Sequence, residues 1–327
     1  MSSLPTEAAH YLDNWLGSGW TATPLAGDAS VRAYYRVAAP DGQTYMLSYY
    51  PEEVRAQLAR FLGAYEAIAE HGRVPGVLHH ADVVVLQHDV GDRTLFDVLH
   101  QDREEGLRLY RAALDLLAGF QRAPDRGLNP AFTADFFYGE LEMAREFYVE
   151  QLMGGDVRQL ESVLKDVCEK AASHPYVLCH RDFHGQNLHL FNDTLYLIDY
   201  QDLRMGPDTY DIASLLRDRG VARIIGDKAE LELLTYYGEI TGADGDIRRR
   251  YFETLLQRSI KILGTFSKQP IVRGRMHYLE FIPATLESIR RCIEELPEFA
   301  MLRDMFPLEF DLESARRRAQ ELNGGRS

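Results

Sequence analysis

The sequence predicts an α+β chain of two lobes, a small antiparallel sheet lobe followed by a larger and mostly helical one. Three observations predict it. β-Branched and aromatic residues flank the turn dipeptide Asp41-Gly42, the pattern of a hairpin. Beyond Asp92 leucines and aromatics recur at helical steps. At 327 residues, 46% of them apolar, the chain can bury a sizeable core divided between two lobes. The expected division is residues 1–88 for the sheet lobe and 89–327 for the helical one.

Taken in order, residues 6–16 read as a short amphipathic helix, which Gly17 and Gly19 break. Residues 31–37 and 44–49 are the hairpin strands. Residues 51–70 place Val54, Leu58, Phe61, Leu62, Tyr65 and Ile68 at helical spacing, and 83–87 form a compact apolar strand ending at Gln87. After residues 89–92, Leu107, Tyr110, Leu114 and Leu117 mark one helical face and Leu109, Ala113, Leu116 and Phe120 a second, as befits a helix inside a larger lobe. Helices are expected over 134–152 and 157–172, then a small hairpin of strands 188–191 and 195–198 around Asn192-Asp193-Thr194. From Tyr210 the pattern is helical to the end, with interruptions expected at Gly242, Pro270, Pro283 and Pro297 and a final stop at Asn323-Gly324.

The formal charge of -14 gives no footprint for a nucleic-acid backbone. Arg248, Arg249 and Arg250 follow Asp246 closely and read as a solvated helix face. Cys168, Cys179 and Cys292 are odd in number and lack Cys-x-x-Cys spacing, which argues against a disulfide framework or structural zinc and for a reducing cytoplasm. His79, His80 and His88 lack the spacing of a zinc site, so no transition metal is expected. No signal peptide or bilayer-length apolar run is evident, and no membrane association is expected. Phe136, Phe137, Tyr138, Phe147 and Tyr148 are at helical spacing and read as core, with stacking on a sugar face as the alternative.

The chemistry concentrates in His180-Arg181-Asp182-Phe183-His184-Gly185-Gln186-Asn187, followed after the hairpin by Ile198-Asp199-Tyr200-Gln201-Asp202. A phosphoryl transfer needs a carboxylate to orient the acceptor hydroxyl and take its proton, and oxygen ligands to hold Mg²⁺ on the triphosphate. An Asp followed five positions later by an Asn, on a loop entering a strand, brings both to one cleft. The hairpin then returns Asp199 to it. The bland alternative is a polar loop that only caps a turn; the context, helix before and hairpin after, favours the chemical reading.

Residues 180–187 resemble the His-Arg-Asp-x-x-x-x-Asn catalytic loop of the protein-kinase-like superfamily, with Asp199 standing where the Asp-Phe-Gly aspartate would. The Phe-Gly half is absent. His184 inside the loop, and Ile198-Asp199-Tyr200 followed by Asp202, look instead like the aminoglycoside phosphotransferase and choline kinase branch. Within it, Asp28-Ala29-Ser30 leading to Arg32, Tyr35 and Arg36, with Gly206-Pro207, Tyr210-Asp211 and Gln257-Arg258 to Gly264, resembles the cell-wall-recycling anomeric kinases of N-acetylmuramate and N-acetylglucosamine. The resemblance spans residues 28–266, specific in the catalytic segment and looser elsewhere.

It implies a bilobal protein-kinase-like fold, ATP and Mg²⁺ as cofactors, and a small sugar acceptor phosphorylated at its anomeric hydroxyl. An aminoglycoside, choline or other amino alcohol is the alternative acceptor, and a nucleotide-binding module without turnover the alternative class. Asp182 is implied as base, Asn187 and Asp199 as metal ligands, and His180 and Asp211 as supports of the loop, Asp211 being otherwise an ordinary acid at a helix N-terminus. Gln201 and Asp202 would meet sugar hydroxyls or merely form a turn. Arg258 would contact the acceptor or be a surface arginine. The first lobe departs from the wider superfamily: it has no Gly-x-Gly-x-x-Gly, so the small residues 27–30, ending in Ser30, would have to approach the phosphates. It also has no lysine before Lys165. Arg32 and Arg36 are the candidate replacements, since a guanidinium clamps phosphate bidentately, and Gln87 is the candidate contact at the end of its strand.

Overall fold

The computed structural model describes residues 4–25, 31–218, 220–243 and 245–324; the expected phosphate turn with Ser30 lies outside them. The first lobe is a five-stranded antiparallel sheet in the order β1-β2-β3-β5-β4, built from β1 (Thr21–Pro24), β2 (Ala33–Ala38), β3 (Thr44–Tyr49), β4 (Val77–Ala81) and β5 (Val84–His88), with helices α1 (Thr6–Leu16) and α2 (Arg55–Ile68). Alternation along the strands gives the sheet two different faces. Tyr35, Val37, Tyr45, Leu47 and Leu86 form a small core with Ala8 and Leu12 of α1. The residues between them point the other way, and the register sets Arg36 opposite Met46 and Met46 opposite Gln87 in one row. That second face roofs the cleft. Helix α2 does not join the small core: Leu58, Phe61, Ala64 and Ile68 belong to the large core that continues through the second lobe, with Phe61 stacked on Tyr200 at 5.2 Å.

The second lobe contains α3 (Leu95–Gln101), α4 (Arg103–Phe120), α5 (Ala134–Glu140), α6 (Glu161–Ala172), α7 (Tyr210–Arg217), α8 (Ala222–Ile225), α9 (Asp227–Thr241), α10 (Ile247–Arg273), α11 (Ile282–Glu295), α12 (Leu302–Met305) and α13 (Leu312–Gly324). Two small sheets sit among them. β6 (Tyr176–Cys179) pairs with β9 (Arg204–Pro207), and β7 (Leu188–Phe191) with β8 (Thr194–Leu197), the latter being the expected hairpin with Asn192 and Asp193 in the left-handed region.

Three sequence expectations are corrected. Residues 134–152 are not one helix: α5 ends at Glu140 and Ala144–Leu152 is wound as a π-helix, whose wider turn lets the consecutive Phe147, Tyr148 and Val149 all be buried. Pro270 does not interrupt α10, which runs on to Arg273 and stops at Gly274, φ 65°; Phe266, Pro270 and Ile271 are buried, and that packing outweighs the proline's missing hydrogen bond. The arginine run is not wholly solvated. Arg250 is buried and its guanidinium grips Asp208 at 2.8 Å and 3.2 Å, whereas the half-exposed Arg248 pairs with Glu295, and Arg249 with Glu298 and the buried Glu253. The three cysteines are free and buried, and no helix among the described residues is long and apolar enough to cross a membrane.

Candidate active site

β6 delivers the chain to His180, and a 3₁₀ turn (Gly185–Asn187) leads out of the loop into β7. Four anchors fix the loop between them. Asp211, in the first turn of α7 and 0% exposed, accepts the backbone N–H of His180 at 2.6 Å and of Arg181 at 2.9 Å. Its carboxylate therefore holds the loop and is not a mere helix-terminal acid. Burial raises its pKa above the ordinary value, against the pull of His180, those two N–H groups and Arg258. The buried His180 ring sets Nε2 2.9 Å from the carbonyl oxygen of Ile198, tying the loop to the segment that carries Asp199. Phe183 is fully buried and stacks on Phe120. At Gly185 a Cβ would lie 2.9 Å from the backbone nitrogen of Phe96, so only glycine lets α3 come this close. Arg181 (φ 81°) and Asp199 (φ 61°) both occupy the left-handed region, a cost sustained by these anchors and common where a site is being shaped.

The loop separates two cavities. One, of about 380 Å³, lies under the sheet and is lined by Arg32, Tyr34, Met46 and Ser48 above and by Asn187, Asp199 and Gln201 below. The other, of about 580 Å³, lies within the second lobe against Asp182, His184, Arg258, Lys261 and Phe281. Asp182 is exposed at its edge. Partial enclosure pushes the Asp182 carboxyl up, but His180, Arg258, Lys261 and His184 outweigh it and hold the pKa below the ordinary aspartate value. Asn187 Nδ2 donates to the carbonyl of Asp182 at 2.9 Å, which leaves Oδ1 as the atom that could hold a metal. Asp199 is open to the first cavity and accepts from Gln201 Nε2 at 2.8 Å. An amide oxygen and a carboxylate are the hard donors Mg²⁺ takes when phosphates and waters fill its other positions; among the described residues there is no larger His, Cys, Asp and Glu cluster.

The other residues singled out in the sequence divide between these surroundings. Arg32 lines the first cavity, with Nη2 3.9 Å from Asp199 Oδ1 and its guanidinium near the rings of Tyr34 and Tyr50. Arg36 does not line it: Nε, Nη1 and Nη2 donate to Asp89 and Asp92 at 2.7 to 3.2 Å, so this arginine straps the sheet to the connector. Gln87 lines the first cavity but is buried, with Nε2 near the Pro75 carbonyl and the Tyr200 hydroxyl. Gln201 and Asp202 do not face the second cavity. Gln201 serves Asp199, and Asp202 lies 3.8 Å from Arg60 of α2, because the turn after β8 carries them toward the first lobe. Arg258 is no surface residue: it is buried over Tyr210 at 4.2 Å, donates to Ser214 Oγ at 2.7 Å, and lines the second cavity. Lys261, which sequence reasoning missed, lies one turn further along α10 and bonds Glu140 at 2.7 Å and the Tyr210 hydroxyl at 3.2 Å. Its signal was a second cation three residues after Arg258, on the same face of the helix.

A two-lobed fold with an aspartate loop set between two cavities is the architecture of the protein-kinase-like phosphotransferases. The chain belongs to the phosphotransferase enzyme family, whose model matches residues 21–251. It is 28% identical over 314 residues to an N-acetylmuramate/N-acetylglucosamine kinase of Neisseria meningitidis serogroup B, covering 89% of this chain and 92% of the relative. A kinase of the same name from Pseudomonas aeruginosa is 26% identical over 86% of both chains. The fold is shared with the aminoglycoside phosphotransferase APH(2″)-IIa in its streptomycin–ATP ternary complex (TM-score 0.58, 16% identity, 80% of this chain and 91% of that one). Choline kinase LicA from Streptococcus pneumoniae shares it too (TM-score 0.55, 15% identity, 89% and 98%).

Proposed function

We propose that this chain is an ATP- and Mg²⁺-dependent kinase that phosphorylates the anomeric hydroxyl of N-acetylmuramate or N-acetylglucosamine to give the sugar 1-phosphate. The observation that carries the reading is Asp182 at the edge of a 580 Å³ cavity with Asn187 and Asp199 facing the adjoining one, in a chain similar over most of its length to kinases of that name. In this reading ATP lies under the sheet and the sugar in the second cavity. Asp182 accepts the C1 hydroxyl proton as the oxygen bonds to the γ-phosphorus and the bond to the ADP oxygen breaks. Its depressed pKa keeps it ionised but a weak base, which suits a loose transition state in which positioning matters more than basicity. A Mg²⁺ held by Asn187 Oδ1 and Asp199 would neutralise charge on the triphosphate. Arg32 supplies the cation that β3, with Met46 and Ser48 at its inward positions, does not.

The charge of the second cavity supports a neutral or anionic acceptor. Arg217, Arg223, Arg258 and Lys261 line it against Asp182, Asp218 and Glu280, so the acidity of the whole chain is not focused where a cationic amino alcohol would bind. The test is ATP consumption with N-acetylglucosamine, N-acetylmuramate, their 1-O-methyl glycosides, choline and kanamycin. Turnover with the free sugars, absent with the methyl glycosides and in Asp182→Asn, is expected. Turnover with the methyl glycosides would overturn the anomeric assignment, turnover with choline or kanamycin alone would replace the acceptor, and ATP binding without any turnover would make the chain a binding module.

A further inference from the structure

Two arginines beside the catalytic loop lack the acceptors their burial demands. Arg181 precedes Asp182, and Arg204 stands on β9 opposite Cys179. Both guanidiniums lie over the same two rings: Arg181 Cζ is 5.8 Å and 6.0 Å from the centroids of Phe132 and Phe136, and Arg204 Cζ 5.1 Å and 4.2 Å. Arg204 is only 9% exposed. Nε of Arg181, and Nε and Nη1 of Arg204, are buried with no hydrogen-bond partner among the described residues. Glu140 comes within 3.7 Å of Arg181, yet the same oxygen already takes Lys261 at 2.7 Å. Asp202 is turned to Arg60. Lys261 and Arg181 thus share one oxygen of Glu140, whose Oε2 is itself buried without a hydrogen-bond partner among the described residues, and Arg204 feels Glu140 and Asp202 only at a distance. Stacking on aromatic faces offsets part of the desolvation of a guanidinium, but it satisfies no N–H, and buried unsatisfied donors call for a ligand or another explanation. Burial and the neighbouring Arg181 both push the Arg204 pKa down, as expected of a cation short of a counter-ion.

We infer that Arg181 and Arg204 form a binding site for an oxyanion, a phosphate or carboxylate group, beside the catalytic loop. Two planar forks of donors over a shared aromatic floor match the flat or tetrahedral oxygens of such a group, and Arg181, with 23% of its side chain exposed, gives solvent access to it. Neither arginine lines the two cavities, which favours a free oxyanion over the reacting groups. Through Arg181, one residue from Asp182, the anion would brace the loop that carries the base.

Thermal unfolding of the full chain, saturated with ADP so that the nucleotide cavity is filled, tests this against inorganic phosphate at constant ionic strength. Phosphate should raise the Tm of the wild type, with the apparent Kd weakened about tenfold or more in Arg204→Met. Arg204→Lys keeps the charge but loses the fork, should be weakened too, and carries the comparison if Arg204→Met does not fold. In parallel, the KM for N-acetylmuramate is divided by that for N-acetylglucosamine in each protein, an arm that alone rests on the proposed acceptors. A rise of about tenfold in that ratio on substitution identifies the anion as the acceptor's carboxylate; an unmoved ratio with a phosphate response that depends on Arg204 identifies a free oxyanion. A phosphate response that is absent, or equal in all three proteins, together with an unmoved ratio, overturns the site.

Discussion

Asp182 and Asp211 are both carboxylates within one loop's reach, and their surroundings set them to different tasks. Asp182 faces a cavity among positive groups, so it stays ionised. Its Asn variant should keep the fold and nucleotide binding while kcat falls about 10²- to 10⁴-fold, the range for a positioned base, measured by steady-state turnover with ATP and N-acetylglucosamine. Because its pKa is depressed, the acid limb of kcat/KM set by this group should lie below about 3.9, the value of an unperturbed aspartate. Removing a positive neighbour raises the pKa, so Arg258→Met should move that limb to higher pH; an unmoved or lowered limb in the pH–rate profile would contradict the account. Asp211 acts on backbone. In Asp211→Asn one oxygen is replaced by an amide that cannot accept, so one of two buried N–H groups loses its partner. The expected loss is about 2 to 3 kcal/mol in denaturant unfolding, with turnover reduced as well because the loop is no longer held.

At the scale of elements, close approach decides what can be substituted. α10 passes the π-helical segment so tightly at Gly264 that a Cβ would sit 2.4 Å from the Ala144 backbone nitrogen and 2.6 Å from the Met143 carbonyl carbon. Backbone on both sides cannot yield cheaply. Gly264→Ala should therefore cost about 1 to 3 kcal/mol, whereas Gly139→Ala in α5, with nothing within 4 Å of its Cβ, should stabilise by about 0.5 to 1 kcal/mol; chemical denaturation of the pair checks both signs. This scale also separates what the sequence discloses from what it does not. The hairpin of β7 and β8 and the loop before it were legible because turn residues and an Asp-to-Asn spacing are local signals. β1, β6 and β9 were not: each has four residues, too short for alternation to show, and β6 and β9 find each other only across the whole catalytic loop and hairpin. Pro270 misled because burial, which no window of sequence reports, overrode a strong local rule. Arg36 misled in a related way. Its residue type suited a phosphate, but its partners, Asp89 and Asp92, lie more than fifty residues away.

For the molecule as a whole, the same arginine bears on how the lobes are held. The sheet packs on α1 in a small core of its own, while α2 is built into the large core below, so the roof of the first cavity is attached to the rest through a limited set of links. Arg36 is one of them. It reaches from β2 to both carboxylates of the connector, and those carboxylates differ: Asp89 is 5% exposed and Asp92 72%. The exposed half is screened by solvent and contributes little, so the strap works chiefly through Asp89, which also accepts the N–H of Gly91 at 3.0 Å and so shapes the connector that lines the cavity. Losing it should loosen the roof over ATP more than it unfolds the protein. Arg36→Met is expected to raise KM for ATP up to about fivefold while the KM for the acceptor changes little, since the second cavity lies within the other lobe. Arg36→Lys should resemble Arg36→Met rather than the wild type, because an ammonium cannot span two carboxylates with a planar fork. Equal effects on both KM values would show that Arg36 supports the entire protein and not this roof.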